Sequence, residues 1–258
     1  MASGSGWLCW VLPMTEIRQN RAPAANPDQD FNPCAACTVR DLSICQVLDE
    51  PELQRLAEIA SNLHFSPNDP IIDEGEQADY LFNVTGGTVR LYKLLPDGRR
   101  QITGFLNGSD FLGIALNESY AYSAEAIDAV TVCRFPRRKL EMLLDEIPHL
   151  EKHLLGVSSN ELVLAQDQMV MLGRKTAKEK VVSFLLSLSR RQEASGGKAS
   201  PVSLPMTRMD IADYLGLTTE TVSRTFTKLK QNQLIKLVAG GDVVLRDMDA
   251  LEEIAEGF

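Results

Sequence analysis

The stretch that most constrains this chain is residues 204–247, LPMTRMDIADYLGLTTETVSRTFTKLKQNQLIKLVAGGDVVLRD. Thr207 followed three residues later by Asp210 has the spacing of a capping box. In such a box the hydroxyl accepts from a backbone N–H and the carboxylate reaches back. Ile211, Ala212 and Leu215 then share the inner face of a short helix. Gly216 stands where a turn needs positive φ, which glycine adopts without steric cost. Leu217 plugs the turn from the core side, and Thr218 is placed to cap a second helix. That helix turns Val222, Phe226 and Leu229 inward and carries Thr219, Glu220, Ser223, Arg224, Thr227 and Lys228 outward. Strands over 234–238 and 242–245, joined by Gly240-Gly241, complete a winged helix-turn-helix.

This pattern predicts binding to double-stranded DNA, with the polar face of the second helix in the major groove. Arg224 can donate two hydrogen bonds to guanine, and Glu220 can accept from a cytosine amino group. A carboxylate repels phosphate, so Glu220 argues for base reading over indifferent backbone contact. A helical hairpin used for protein contact is the rival reading. The charge distribution bears on the choice. The net charge is −9, yet residues 174–246 hold 13 Lys and Arg against 6 Asp and Glu, leaving −16 for the remainder. One basic domain on an acidic chain is the asymmetry expected where that domain meets phosphates, although a solvated basic face would look alike.

The fold class predicted is α+β, in four parts. Residues 1–30 read as a disordered segment in which Met14 is a plausible start. Residues 31–146 form a cysteine cluster and a β-roll, 147–173 a dimerisation helix, and 174–258 the DNA-binding domain. Hydrophobic residues at 44% and charged residues at 24% exclude a disordered chain, and no apolar run is long enough for a membrane span. A cytoplasmic protein is expected. Pro51 opens a helix over 51–62, carrying Leu53, Leu56, Ile59 and Ala60 on one face. Over 63–136 short apolar segments alternate with turns, which reads as a roll or barrel. Asp97-Gly98 suits a two-residue hairpin with both central residues at positive φ. A short helix over 137–145 and a long one from Pro148 to about Gly173 follow. Ile147, Leu150, Leu154, Val157, Glu161, Leu164, Gln168 and Met171 repeat at alternating three- and four-residue steps, a coiled-coil-like seam for a homodimer. The same row would also suit a helix packed on its own domain. A helix over 176–192 and a flexible loop over 194–203 lead into the helix-turn-helix.

There are five cysteines. Cys9 reads as a spare thiol. Cys34 and Cys37 form a C-x-x-C, Cys45 follows, and Cys133 lies far off in the last strand of the roll. Four thiolates suit tetrahedral zinc or an iron–sulfur cluster, and spacing alone does not separate the two. His64, His149 and His153 are scattered outside any nucleophile or metal motif, so nothing here reads as an enzyme.

With these residues in place, the chain resembles the Crp/Fnr family of bacterial transcription regulators, and most of all its oxygen-sensing Fnr branch. The resemblance covers about residues 31–250. Its most specific piece is LGLTTETVSR, where Glu220, Ser223 and Arg224 match the base-reading pattern E-x-x-S-R. That pattern implies palindromes like TTGAT-N4-ATCAA. DGRRQITGFLNGSDFLG (97–113) resembles the roll and its loop for RNA polymerase. ELVLAQDQMVMLGRKTAKEKVVSFLLSLSRR (161–191) resembles the end of the dimer helix and the start of the DNA domain. The resemblance implies a [4Fe-4S] cluster on Cys34, Cys37, Cys45 and Cys133, molecular oxygen as the signal, and an activator. The gap between Cys37 and Cys45 is longer than in the enteric form and like that of a proteobacterial subgroup. Ala165 stands where enteric relatives place a carboxylate, which implies a tighter dimer. Two other readings stay open. One is a zinc-stabilised structural or adaptor protein. The other is a cyclic-nucleotide receptor of the same fold, although IALNESYAYSAEA (114–126) lacks the Arg that would hold a cyclic phosphate.

Overall fold

A computed structural model describes Cys34 and residues 37–114, 118–238 and 240–257. The readings made for residues 1–30, for Met14 and for Cys9 fall outside these. Two 3₁₀ turns, Arg40–Leu42 and Ile44–Val47, lead into α1 (Glu50–Ile59). Asp49 caps α1 by accepting from the Glu52 N–H at 2.9 Å, and Glu52 accepts from the Asp49 N–H at 3.0 Å. The helix ends before the expected residue 62, because the next residues are drawn into strand pairing.

Among the described residues eight strands build the roll: β1 (Ser61–Phe65), β2 (Pro70–Ile72), β3 (Tyr80–Gly86), β4 (Val89–Leu94), β5 (Arg100–Leu106), β6 (Phe111–Leu112), β7 (Ser123–Ala126) and β8 (Val130–Pro136). They form two four-stranded sheets, ordered β1-β8-β3-β6 and β2-β7-β4-β5. Every described pairing in them is antiparallel. Val84, Val89, Leu106, Leu112, Val130 and Val132 fill the space between the sheets. The hairpin between β4 and β5 corrects one expectation. Only Gly98 has positive φ, at 84°. The turn runs from Leu95 to Gly98, whose N–H donates to the Leu95 carbonyl at 2.9 Å. A longer turn closed by a positive-φ glycine replaces the two-residue form.

After the roll come α2 (Arg137–Glu146) and α3 (Pro148–Arg174). Thr176 and Glu179 form a second capping box that starts α4 (Ala177–Ala194). The helix-turn-helix follows as α5 (Arg208–Leu215) and α6 (Thr219–Gln231), with the predicted Thr207/Asp210 box and Gly216 left-handed at φ 61°. The wing is β9 (Ile235–Leu237) paired antiparallel with β10 (Val243–Leu245). A last helix, α7 (Met248–Glu256), buries Leu251 and Ile254 in the C-terminal core.

The loop over 194–203 is tied down rather than free. Val202 is buried and exchanges backbone hydrogen bonds with Val243 at 2.8 and 2.9 Å, adding an edge to the wing. The Gln192 amide donates to the carbonyls of Lys198 and Pro201. The C-terminal core also reaches into the roll: Ile102 and Phe105 of β5 are buried with α4, α5 and α6. The rings of Phe105, Phe184 and Tyr214 meet at 5.2–6.0 Å between centroids. Among the described residues no helix is long and apolar enough to cross a membrane.

Candidate functional site

The exposed polar face of α6 is set by its cap and its buried side. Thr218 accepts from the Thr221 N–H at 3.2 Å, which starts the helix. Val222, Phe226 and Leu229 are buried against the core. At 3.6 residues per turn this leaves Thr219, Glu220, Ser223, Arg224, Thr227 and Lys228 pointing out, and all six are exposed. Glu220 and Arg224 are ion-paired one turn apart, with their side chains 70% and 71% exposed. The carboxylate steadies a guanidinium that otherwise faces solvent. Behind this face, Arg208 stacks on the Phe226 ring, its guanidinium carbon 3.4 Å from the ring centroid.

The cysteines lie near one another between the 3₁₀ turns, β8 and the foot of α3. Cys34 and Cys45 are buried, and Cys37 and Cys133 are half-buried. Cys37 closes a turn onto the Cys34 carbonyl at 3.4 Å. Cys45 lies in the second 3₁₀ turn, where its N–H donates to Ser43 Oγ at 3.3 Å. Cys133 sits on β8 between Asn62 of β1 and Asn83 of β3, and its Sγ donates to Asn62 Oδ1 at 3.3 Å. Burial, and then the charges that Cys37, Cys34 and Cys45 would carry, push the Cys133 thiol up to about 12. Burial followed by Cys45 and Cys37 pushes Cys34 up to about 11. The sulfurs therefore stand in one another's field, and a cation among them would favour their ionisation. That donor set fits zinc and iron–sulfur alike. Among the described residues no three His, Cys, Asp or Glu groups already converge on one metal position, and no cysteine is in a disulfide.

Cys34 and Cys45 share a hydrophobic cluster with Ile44, Leu48, Phe135 and Leu150, and Cys133, Leu154 and Val157 pack against it. His153 meets Gln46 at 3.0 Å, which ties α3 to the cysteine segment by a polar contact, and His149 meets Glu52 at 3.1 Å, which ties it to α1.

These contacts correct the expected dimer seam. Leu150 and Met171 are buried within the chain, and Leu154 and Val157 lean on its own cluster. The two ends of the row face inward. Gln168 points the same way and donates to the Tyr214 carbonyl at 2.9 Å. Glu161 and Leu164 remain exposed at mid-helix. A second apolar row faces solvent: Leu155, Leu162 and Met169, one heptad apart, are 66%, 61% and 70% exposed. Exposed Ala165 falls on this second row, between Leu162 and Met169.

In the roll, Tyr120 Oη donates to the Tyr80 carbonyl at 2.7 Å, and Tyr122 Oη accepts from the Gly113 N–H at 3.0 Å. The segment where a cyclic phosphate would need a cation thus brings tyrosines bonded to the backbone.

Residues 62–146 match the family model of a cyclic nucleotide-binding domain, and residues 179–254 match that of a Crp-like helix-turn-helix domain. The chain is 44% identical over 222 residues to the nitrogen fixation regulation protein FixK of Bradyrhizobium diazoefficiens, covering 86% of this chain and 93% of that one. It is 45% identical over 217 residues to the transcriptional activatory protein AadR of Rhodopseudomonas palustris, covering 83% and 91%. The solved structure of FixK2 from Bradyrhizobium japonicum superposes with a TM-score of 0.71 at 38% identity, over 76% of this chain and 96% of that one. These relatives are regulators, and in both sequence and fold the chain belongs to the Crp/Fnr family of DNA-binding transcription regulators.

Proposed function

We propose that this protein is an oxygen-responsive transcription activator that binds a TTGAT-N4-ATCAA-like palindrome as a homodimer while a [4Fe-4S] cluster is held by Cys34, Cys37, Cys45 and Cys133. The observation that carries the reading is the approach of Cys133 to the charges of Cys34, Cys37 and Cys45, with Cys34, Cys45 and Cys133 gathered at the hydrophobic cluster that holds the foot of α3. The name of AadR supports activation, and the segment over 97–113, which opens on exposed Asp97 and Arg99, is the part that resembles a loop for RNA polymerase. Such a regulator works in the cytoplasm, where DNA and reduced thiols coexist.

The cluster, when bound, supplies the oxygen-labile chemistry. The chain's own part is mechanical. Cys34, Cys37 and Cys45 pin the 3₁₀ segment to β8 through Cys133. That segment covers Leu150, Leu154 and Val157 on the inner face of α3. With α3 held, the row Leu155, Leu162, Ala165 and Met169 is presented to a second copy as a seam with heptad spacing. Two α6 helices then face half-sites about one DNA turn apart. Release of the segment exposes the foot of α3 and loosens the seam behind it.

The test is the visible absorption spectrum of anaerobically purified protein before and after air, with iron, sulfide and zinc measured on the same sample. Iron and sulfide, with a charge-transfer band bleached by air, are expected. Stoichiometric zinc with no visible band would replace this reading with that of a zinc-stabilised structural protein.

A further inference from the structure

Helix α5, the first of the helix-turn-helix, is gripped at both ends from outside its own domain. At its start, Asp210 is 1% exposed and already accepts from the Thr207 N–H at 3.0 Å to cap the helix. Its other oxygen accepts from two arginines of the roll, Arg100 Nη2 at 2.7 Å and Arg90 Nη1 at 3.2 Å. Arg100 Nε also donates to Asp213 Oδ2 at 3.0 Å. At the far end, a helix leaves its last four carbonyls without intrahelical donors. The Ala212 carbonyl takes the Leu217 N–H at 3.0 Å as well as that of Gly216. The other three take side chains: Gln101 Nε2 of β5 on Asp213 at 2.7 Å, Gln168 Nε2 of α3 on Tyr214 at 2.9 Å, and Lys180 Nζ of α4 on Leu215 at 3.2 Å.

Folding of α5 does not require the grip of the roll and α3. The helix has its own capping box and its left-handed glycine, and it buries Ile211, Ala212 and Leu215 in its own core. What Arg100, Gln101 and Gln168 add is position. Only the Gly216–Thr218 turn separates α5 from α6, so wherever α5 is held the reading face follows. Gln168 lies on the same helix as the exposed Leu162 and Met169 row, which references α5 directly to the dimer axis.

We propose that Arg100, Gln101 and Gln168, with Arg90 behind them, are positioning residues for DNA recognition that set the half-site spacing the protein accepts. This rests on the reading of a dimer on a palindrome. One base pair of spacer moves a half-site by ~3.4 Å and turns it by ~35°. Hydrogen bonds are lost well within such a displacement. An intact grip therefore rejects the wrong spacing, and a released one follows the DNA.

The experiment uses the full-length, anaerobically purified protein and the triple variant Arg100→Ala, Gln101→Ala, Gln168→Ala, which leaves every residue of the helix-turn-helix in place. Fluorescence anisotropy measures binding to the palindrome with three-, four- and five-base spacers and to a duplex with one half-site. The wild type is expected to prefer one spacer by about tenfold or more, and the triple variant to fall within about threefold across spacers with half-site affinity unchanged. Gln168→Ala alone, which removes one hydrogen bond and no charge, should move the same way by a smaller factor and serves if the triple variant is unstable. Unchanged spacer preference in a folded variant overturns the proposal. So does an equal loss on the single half-site, because the contacts would then merely support the fold. A wild type indifferent to spacer overturns the dimer reading itself, and the grip with it.

Discussion

Arg224→Ala separates base reading from backbone contact on the face of α6. In the free protein the residue is cheap to lose. Its only partner among the described ion pairs is Glu220, both side chains are about 70% exposed, and an exposed pair one helical turn apart contributes ~0.3–0.5 kcal/mol. Thermal unfolding should therefore barely change. On DNA the same guanidinium can make two hydrogen bonds that only guanine accepts, worth ~1–3 kcal/mol per half-site. A dimer has two such sites, so the loss is ~2–6 kcal/mol, or ~30-fold to ~20,000-fold in affinity. Competition between the palindrome and a copy with its guanines replaced measures the discrimination. The variant should bind both copies nearly equally, having lost affinity for the palindrome alone. Lys228→Ala is the contrast: losing one phosphate contact in each half-site should weaken both duplexes alike and lower the salt slope by about 2 for the dimer. If Arg224→Ala weakens both sequences by the same factor, the residue touches backbone and the base-reading role fails.

Three further outcomes are expected. Cys133→Ser should abolish the iron-dependent visible band and anaerobic binding to the palindrome, since the other three thiols lose their anchor on β8; a variant with full iron content would remove the four-cysteine site. Leu162→Glu should leave the unfolding of the monomer nearly unchanged while shifting sedimentation toward monomer, whereas Leu150→Ala, buried within the chain, should cost ~2–5 kcal/mol of stability; the reverse pattern would restore the inner row as the seam. Gly216→Ala should destabilise by roughly 1–2 kcal/mol in chemical denaturation, because φ is 61° there and the added Cβ would stand a tolerable 3.4 Å from Leu172.

The helix-turn-helix was legible because each of its signals is local. Thr207 and Asp210, Gly216, Thr218 and the 222–226–229 row lie within a few residues of what they organise, and the structure uses them as the sequence suggests. The helix α7 escaped notice although its signals were of the same kind. Asp247 caps it, and Leu251 and Ile254 form its buried side. The turn between β4 and β5 was misread because Asp-Gly also fits a longer loop, and only the backbone of Leu95 and Pro96 decides between the two. Long-range features left little trace. Nothing near Asp210 in the chain announces two arginines arriving from residues 90 and 100. The Gln192 amide that ties down the loop over 194–203 is likewise invisible until the chain folds back. Four thiols for one site could be read from the cysteines themselves, whereas the choice of iron–sulfur over zinc came from family resemblance and not from spacing.

The seam on α3 shows why a correct period can give the wrong face. Leu150, Leu154, Val157 and Met171 repeat with helical spacing, and so do Leu155, Leu162 and Met169. A helix apolar on two sides has two partners, but the sequence does not say which side belongs to which. The fold assigns the first row to the chain's own cores, since Leu150 lies with the cysteines and Met171 with α4 and α5. The 27-residue helix is ~40 Å long, stiff enough to link its two ends. Leu150, Leu154 and Val157 lose their cover if the cysteine segment leaves, at ~1.5–3 kcal/mol for each side chain fully exposed. Even a fraction of that, passed to the outer row in both copies of a dimer, would change the dimer population by tenfold or more. Two apolar rows on one helix are thus what lets packing at its foot be felt at the seam, and a single row serving only one of those partners would break that route along α3.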